Sequence, residues 1–234
     1  MASADPSLAH VVIAMDGTAG AGKSTTSRGV ARRLGLRYLD TGAMYRAVTW
    51  EMLRSGTPVG EPSAVAARAA SVALVSGTEP DAPTIALDGV DVSREIRTDP
   101  VTAAVSQVSA VPRVRELMVA LQRREIGDGG IVVEGRDIGT VVAPDADLKV
   151  FLTADPPARA RRRAAELTAN HNRDLGVVEA DLARRDTADS SRAVSPMAVA
   201  EDAVRIDSTY LSLDDVIDTI VGLARERVAV RHGG

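Results

Sequence analysis

Eight consecutive residues, Gly17-Thr18-Ala19-Gly20-Ala21-Gly22-Lys23-Ser24, fit the pattern G-x-x-x-x-G-K-[ST] in full. They follow an apolar run ending Ala14-Met15-Asp16 and precede a helical stretch, which is the context that pattern requires. Glycines let backbone N–H groups turn inward around phosphate oxygens, and the following helix adds its positive end. Lys23 then reaches the β- and γ-phosphates, and the Ser24 hydroxyl can ligate Mg²⁺. Residues Gly17 to Thr25 are thus the expected triphosphate site, the alternative being a glycine-rich turn that binds nothing.

The fate of the triphosphate depends on other residues. A GTP switch would carry N-K-x-D and D-x-x-G, and neither occurs in the 234 residues. A motor or transporter ATPase usually carries a strand with two terminal acids. The nearest candidate, Ile131-Val132-Val133-Glu134, continues into Gly135-Arg136-Asp137 and so joins its acid to an arginine. Phosphoryl transfer to an acceptor that is itself an anion fits better, because such an acceptor needs cations around it. Asp40-Thr41-Gly42-Ala43-Met44-Tyr45-Arg46 places a hydroxyl, a phenol and a guanidinium after a strand, at the sheet edge where ligands bind in α/β folds. Glu134, Arg136 and Asp137 reach the same edge. On one predicted helix Arg159, Arg162 and Arg163 share a face, and Arg185, Asp189 and Arg192 repeat that spacing. A solvated surface charge is the alternative for any one of these arginines. An ionised phosphate acceptor needs no general base, in keeping with histidines only at positions 10, 171 and 232.

The elements that must position these groups are legible as alternation. Five short apolar runs, Val11–Met15, Arg37–Asp40, Ile131–Glu134, Leu148–Leu152 and Val204–Asp207, lack a wet face and read as strands covered on both sides. Helical patterns separate them: 24–34 ending at Gly35, 43–55 with Met44, Val48 and Met52 in a stripe, and one opened by Pro112. The last helix carries Leu213, Val216, Ile217, Ile220 and Ala224 on one face, with Ser212 and Asp215 as a capping box. The alternation predicts an α/β fold with a parallel sheet. Two segments break the rhythm. Residues 56–100 hold Gly/Pro-rich stretches and two β-like runs, Val72–Val75 and Thr84–Val92, the second turning at Asp88-Gly89, and they predict a small antiparallel insertion. Residues 157–193 are arginine-dense and predict helix–loop–helix.

Composition narrows the classes further. The chain is 45% hydrophobic and 26% charged with a net charge of −4 and no cysteine, which removes disulfides and thiolate chemistry. One Trp, one Phe and three Tyr in an acidic chain argue against a nucleic-acid-associated ATPase, which needs a basic surface and stacking aromatics. The N-terminal residues lack the basic and apolar regions of a signal peptide, and the early apolar run is too short to span a membrane. A cytoplasmic protein without membrane or nucleic-acid partners is the expectation. Of 28 basic residues only Lys23 and Lys149 are lysine. The bulk ratio reads as codon bias. Lys23 sits where the chemistry asks for lysine, and Lys149 has no role the sequence assigns.

Taken together, D-G-T-A-G-A-G-K-S-T, L-D-T-G-A-M-Y-R, E-I-R-T, S-Q-V-S-A-V-P-R-V-R, E-G-R-D-I-G-T-V-V and R-D-x-x-D-x-x-R before A-V-S-P resemble the bacterial cytidylate kinases. The resemblance runs in order from about residue 11 to 228. It implies a nucleoside monophosphate kinase with a P-loop NTPase core, a five-stranded parallel sheet flanked by helices, a small antiparallel insertion and a helical lid. One such domain would have its core at about 10–40, 104–156 and 194–230, a monophosphate-binding region at 41–103 and a lid at 157–193. The resemblance further implies transfer from ATP to CMP or dCMP with Mg²⁺, by a monomer. Thr41, Tyr45, Arg46 and Arg136 would surround the acceptor phosphate. Ser106, Arg115 and Asp137 would read the cytosine with Arg192 close by, and Arg185 and Asp189 would approach the ribose. Lid arginines Arg159, Arg162 and Arg163 would join Lys23 and Arg136 in catalysis, with Ser24 on the metal. Two alternatives remain from the residues themselves: a P-loop kinase for another monophosphate or small molecule, and an Asp137 that only orients Arg136 or Arg192.

Overall fold

A computed structural model describes residues 6–167 and 174–232. All five apolar runs are strands of one parallel sheet: β1 (Val12–Gly17), β2 (Arg37–Asp40), β6 (Ile131–Glu134), β7 (Leu148–Thr153) and β8 (Val204–Asp207). Their spatial order is β2-β6-β1-β7-β8. Side chains alternate across such a sheet, and both faces are covered. Ile13, Met15, Tyr38, Val132, Val150 and Leu152 lie in the core shared with α1 (Lys23–Leu34) and α8 (Leu213–His232). Ala14, Leu39, Ile131 and Val133 face the other way, toward α2 (Thr41–Arg54), α4 (Asp99–Ser109) and α5 (Pro112–Ile126).

The predicted helix faces are borne out with one exception. Met44, Val48 and Met52 of α2 are fully buried. Asp40 caps α2 by accepting the Ala43 N–H at 2.8 Å, which places Thr41, Tyr45 and Arg46 in its first turns. Ser212 and Asp215 cap α8 reciprocally. Leu213, expected on the buried face of α8, is 44% exposed, because it opens the helix before the stripe has reached the sheet.

The insertion is a three-stranded antiparallel sheet, β3 (Leu74–Ser76), β4 (Ile85–Leu87) and β5 (Val90–Asp91). Asp88 and Gly89 turn with φ of 48° and 81°, the doubly left-handed backbone that Asp-Gly serves in a tight hairpin. The segment after β3 covers the free edge of β2: the Tyr38 N–H donates to the Thr78 carbonyl at 2.8 Å, and Arg28 donates to that of Pro80 at 2.6 Å. Covering an edge in this way blocks pairing with another chain. The Gly/Pro-rich stretch also contains an unforeseen helix, α3 (Pro62–Ala69), with proline in its first turn and Val65 and Ala69 buried. The arginine-dense region forms α6 (Pro156–Leu167) and α7 (Leu175–Ser190), as helix–loop–helix predicts. Most of the loop Thr168–Gly176, with His171, lies outside the described residues.

Lys149 finds a role in packing. It projects from β7 with its side chain only 10% exposed, and its ammonium donates to Asp202 at 2.9 Å.

Three strands meet closely where the phosphate loop begins. Asp16 accepts the N–H groups of Ile138 and Gly139, each at 2.8 Å, tying the end of β1 to the one-turn helix Ile138–Val142 after β6. Burial pushes the Asp16 carboxyl up to about 6, against the pull of those two donors. Gly17 has φ of 145°, and a Cβ there would lie 1.9 Å from the Leu152 carbonyl oxygen. No side chain fits between these backbones. Gly17→Ala is therefore expected to lower Tm by about 5 °C or more, since backbone strain of this kind costs about 1–3 kcal/mol and each 1 kcal/mol shifts a chain this size by about 2–4 °C. Thermal unfolding followed by circular dichroism checks this, and an unchanged Tm would contradict the close approach of β1 and β7.

Candidate active site

The carboxyl ends of β1, β2 and β6 open into a cleft. The α1 N-terminus, α2, α4 and α7 complete its walls. Ala19, Gly20, Gly22, Lys23, Ser24 and Thr25 line one end. Thr41, Tyr45, Arg46, Ser106, Arg136, Asp137, Arg163, Arg185, Asp189 and Arg192 line the rest. The expected residues thus converge from segments far apart in the chain. No histidine of the described residues lines the cleft.

At the phosphate-loop end Lys23 is 5% exposed, and its ammonium donates to the Thr18 carbonyl at 2.7 Å. Burial, and then the nearby Arg136, push that ammonium down to about 7. Ser24 donates to Glu134 Oε1 at 2.6 Å, and Tyr38 donates to Glu134 Oε2 at 2.5 Å. Burial raises the Glu134 carboxyl above its ordinary range, Asp40 adding to the effect. Ser24 and Glu134 are hard oxygen donors side by side. No group of three or more His, Cys, Asp or Glu able to hold a metal occurs among the described residues. That donor set fits Mg²⁺, which keeps waters and phosphate ligands and takes one or two groups from protein.

The cationic wall is built from β6 and the helices. Arg136 donates to Asp189 at 3.1 Å. Arg46 is buried on α2 and donates to Thr102 Oγ1 at 2.9 Å and to the Ile96 carbonyl at 3.2 Å. Burial, then Arg185 and Arg97, push Arg46 down to about 9; burial and Arg136 push Arg185 down to about 10. The buried Nε of Arg185 and Nη2 of Arg192 have no hydrogen-bond partner among the described residues. Buried donors left in that state are costly. Groups of this kind, aimed at a cleft, suit an anion.

Not every expected residue lines the cleft in this structure. Arg159 and Arg162 do not line this cleft. Arg159 donates to the Ala19 carbonyl at 3.1 Å and pairs closely with Asp186, which itself accepts the Ala19 N–H at 2.8 Å. Arg162 donates to Ser208 Oγ at 2.8 Å and to the Ser208 carbonyl at 2.6 Å, behind the loop. Arg159 and Arg163 share a face of α6, but Arg159, one turn nearer the loop, is taken up by Ala19 and Asp186, and Arg162 projects about 100° round the helix from Arg163. Arg192 lies beyond the end of α7 at Ser190, so it does not continue the helical row of Arg185 and Asp189. Arg115 is 1% exposed and sits behind the lining, paired closely with Asp137 and 5.2 Å from the Tyr45 ring centroid. Asp137 thus orients neither Arg136 nor Arg192 through a hydrogen bond. Gly17, Thr18 and Ala21 shape the loop without lining the cleft.

Other residues escaped the sequence reading. Arg97 lines the cleft and pairs with Asp40 at 3.1 Å; its signal was the quoted E-I-R-T, left without a role. Asp186 stood in the quoted R-D-x-x-D-x-x-R, whose other members drew the attention. Asp16 opens the quoted D-G-T-A-G-A-G-K-S-T, which assigns it no role of its own, and Tyr38 carries no signal beyond its place on a strand.

Comparison with known proteins places the chain. The family model described as Cytidylate kinase matches residues 13–226. A cytidylate kinase of Streptomyces griseus subsp. griseus is 56% identical over 222 residues, covering 94% of this chain and 95% of its own. One from Streptomyces coelicolor is 54% identical over 228 residues and covers 97% of each chain. Among solved structures, an uncharacterized protein from Eubacterium ventriosum superposes with a TM-score of 0.50 at 10% identity, over 92% of this chain and 98% of that one, a likeness of fold alone. Matched by the family model over residues 13–226 and by relatives more than half identical over nearly its whole length, the chain belongs to the cytidylate kinase family.

Proposed function

We propose that this protein transfers the γ-phosphoryl group of ATP to CMP or dCMP, giving ADP and CDP or dCDP. The observation that carries the reading is a single cleft with a phosphate loop at one end, Asp137 backed by Arg115 at the other, and Arg46, Arg136 and Arg185 between. A phosphate oxygen of the monophosphate forms the new P–O bond as the bond to the β-phosphate oxygen breaks, and ADP leaves. The attacking oxygen is largely ionised near neutral pH, so alignment and charge compensation carry the catalysis. Lys23 and the loop amides hold the donor phosphates. Arg46, Arg136, Tyr45 and Thr41 hold the acceptor phosphate, with Arg97 beside Arg46. Ser24, with Glu134 next to it, would hold Mg²⁺, which when bound supplies neutralisation of the β- and γ-phosphate charge. A second opening, lined by Ala21, Thr25, Arg162, Ser208 and Leu211 on the outer side of the loop, suits the donor base.

Base choice falls to Asp137 and Ser106. Cytosine offers an exocyclic amine beside a ring acceptor, and uracil offers the reverse, so an accepting carboxylate favours cytosine. Burial raises the Asp137 carboxyl while Arg115 opposes that rise. Arg115 therefore acts on Asp137 from behind rather than on the base directly. Asp189 and Arg185 approach the ribose. The segment 157–193 serves as the lid: it completes the cation set with Arg163 once both substrates are bound, and so withholds ATP from water.

Four outcomes test this. Lys23→Ala is expected to lower kcat about 10²-fold or more in a coupled assay, and near-unchanged turnover would remove the phosphate loop from the mechanism. In a panel of CMP, dCMP, UMP and AMP the two cytidylates should be phosphorylated preferentially. Asp137→Asn should lower kcat/KM for CMP about 10- to 100-fold and narrow the CMP-to-UMP ratio. Equal rates on UMP and AMP would overturn the base assignment and leave the kinase class standing. ATP hydrolysis without acceptor should run about 10²-fold or more below transfer, and fast acceptor-independent hydrolysis would favour an ATPase.

A further inference from the structure

Tyr38 is among the largest wholly buried side chains of the protein, and the reaction as proposed makes no use of it. It stands on β2, whose register pairs Tyr38 with Val132 and Asp40 with Glu134 of β6. Paired residues of parallel strands project to the same face, so Tyr38 lies one pleat below Glu134 and under α1. Its ring belongs to the core beneath α1, and its hydroxyl donates upward to Glu134 Oε2 at 2.5 Å. The other oxygen, Oε1, accepts the Ser24 hydroxyl at 2.6 Å. Two neutral hydroxyls, from opposite sides, thus hold the two oxygens of one buried carboxylate.

That arrangement fixes more than Glu134. A serine hydroxyl has one proton and two lone pairs. With its proton directed to Oε1, Ser24 keeps its lone pairs turned away from the carboxylate. A glutamate side chain carries one more torsion than an aspartate, so Oε1 stays in place only if the far oxygen is also restrained. Tyr38 supplies that restraint from within the core, without itself lining the cleft.

We propose that Tyr38 is a positioning residue for the divalent-cation site: its hydroxyl holds Glu134 so that Ser24 presents a lone pair to the cation. The inference rests on the reading of Ser24 as the cation's ligand. Groups that orient metal ligands typically contribute about 10- to 100-fold in metal affinity.

The test measures ADP binding by calorimetry, once with Mg²⁺ and once with EDTA, for the wild-type protein, Tyr38→Phe and Tyr38→Met. Both substitutions keep an apolar filling and remove the hydroxyl, so agreement between them separates its loss from altered packing. ADP affinity in EDTA should stay within about twofold, while the gain in affinity that Mg²⁺ confers should fall about tenfold. Half-saturating Mg²⁺ in turnover should rise by a similar factor, with KM for CMP unchanged. Equal weakening of ADP in both conditions, or a full Mg²⁺ gain in both variants, would overturn the proposal. Ser24→Ala and Glu134→Gln separate it from the reading beneath it. If they lose the Mg²⁺ gain and the Tyr38 variants keep it, only the positioning role fails. If they keep it, the cation-site assignment fails too.

Discussion

Mutual repulsion among cations governs how this cleft is built. Lys23, Arg46, Arg136, Arg163, Arg185 and Arg192 line one cavity, Lys23 and Arg46 buried and the others partly so. Burial alone disfavours each charge, and each neighbour of like sign adds to the penalty. Carboxylates placed among the cations offset it. Asp189 receives Arg136 and lies near Arg192, Asp137 pairs with Arg115, and Glu134 faces Lys23. The acids are as much part of the site as the arginines, because without them the pocket's own field would pull it open. Yet they do not saturate it, since Arg185 and Arg192 keep buried donors without partners. A ligand bearing phosphates would provide what the acids leave unmet.

The fold holds these charges at fixed spacing by anchoring them to backbone. Asp16 joins β1 to the turn after β6, so the start of the phosphate loop and the Arg136–Asp137 segment are tied together through backbone. The Asp40 cap sets the start of α2 and with it Thr41, Tyr45 and Arg46. Asp186 and Arg159 enclose Ala19 between them, one taking its N–H and the other its carbonyl. Ala19 also shares a small apolar cluster with Ala160, Val178 and Leu182 of α6 and α7. The arginine-dense hairpin is therefore seated on the phosphate loop itself, and any motion of α7 reaches that loop through Ala19.

Much of this was legible from residue types alone, and the limits have physical causes. Both-face burial makes a strand uniformly apolar, so all five core strands stood out, but burial says nothing of neighbours; the order β2-β6-β1-β7-β8 needs the crossovers to be seen. Helix α3 was hidden because Gly56, Pro58, Gly60 and Pro62 dominate its approach, although an alanine-rich run follows. In the site, motif residues that touch the cavity were identifiable by chemistry. Arg159, Arg162 and Arg115 have the same chemistry as Arg163 and Arg136, and only packing tells a guanidinium that faces the cleft from one that braces its wall. Tyr38 lay beyond reach for the opposite reason: an aromatic on a core strand has an ample explanation in burial.

The same repulsion gives local sense to the near-absence of lysine, whatever codon bias did to the chain as a whole. Arg46 and Arg185, pushed down to about 9 and about 10, remain charged at neutral pH because a guanidinium starts so high. A lysine in the surroundings of Arg46, starting from about 10.4, would arrive near neutrality and lose much of its charge. Lys23 shows the consequence, with burial and Arg136 bringing it to about 7. At that one position the liability is tolerable in the proposed reaction, where the partner would be a point contact on β- and γ-phosphates whose negative charge would restore the proton. Elsewhere in the cleft a cation must stay ionised among other cations before any anion arrives. At Arg46 and Arg185, where burial pushes hardest, the high starting value of arginine meets that requirement better than that of lysine.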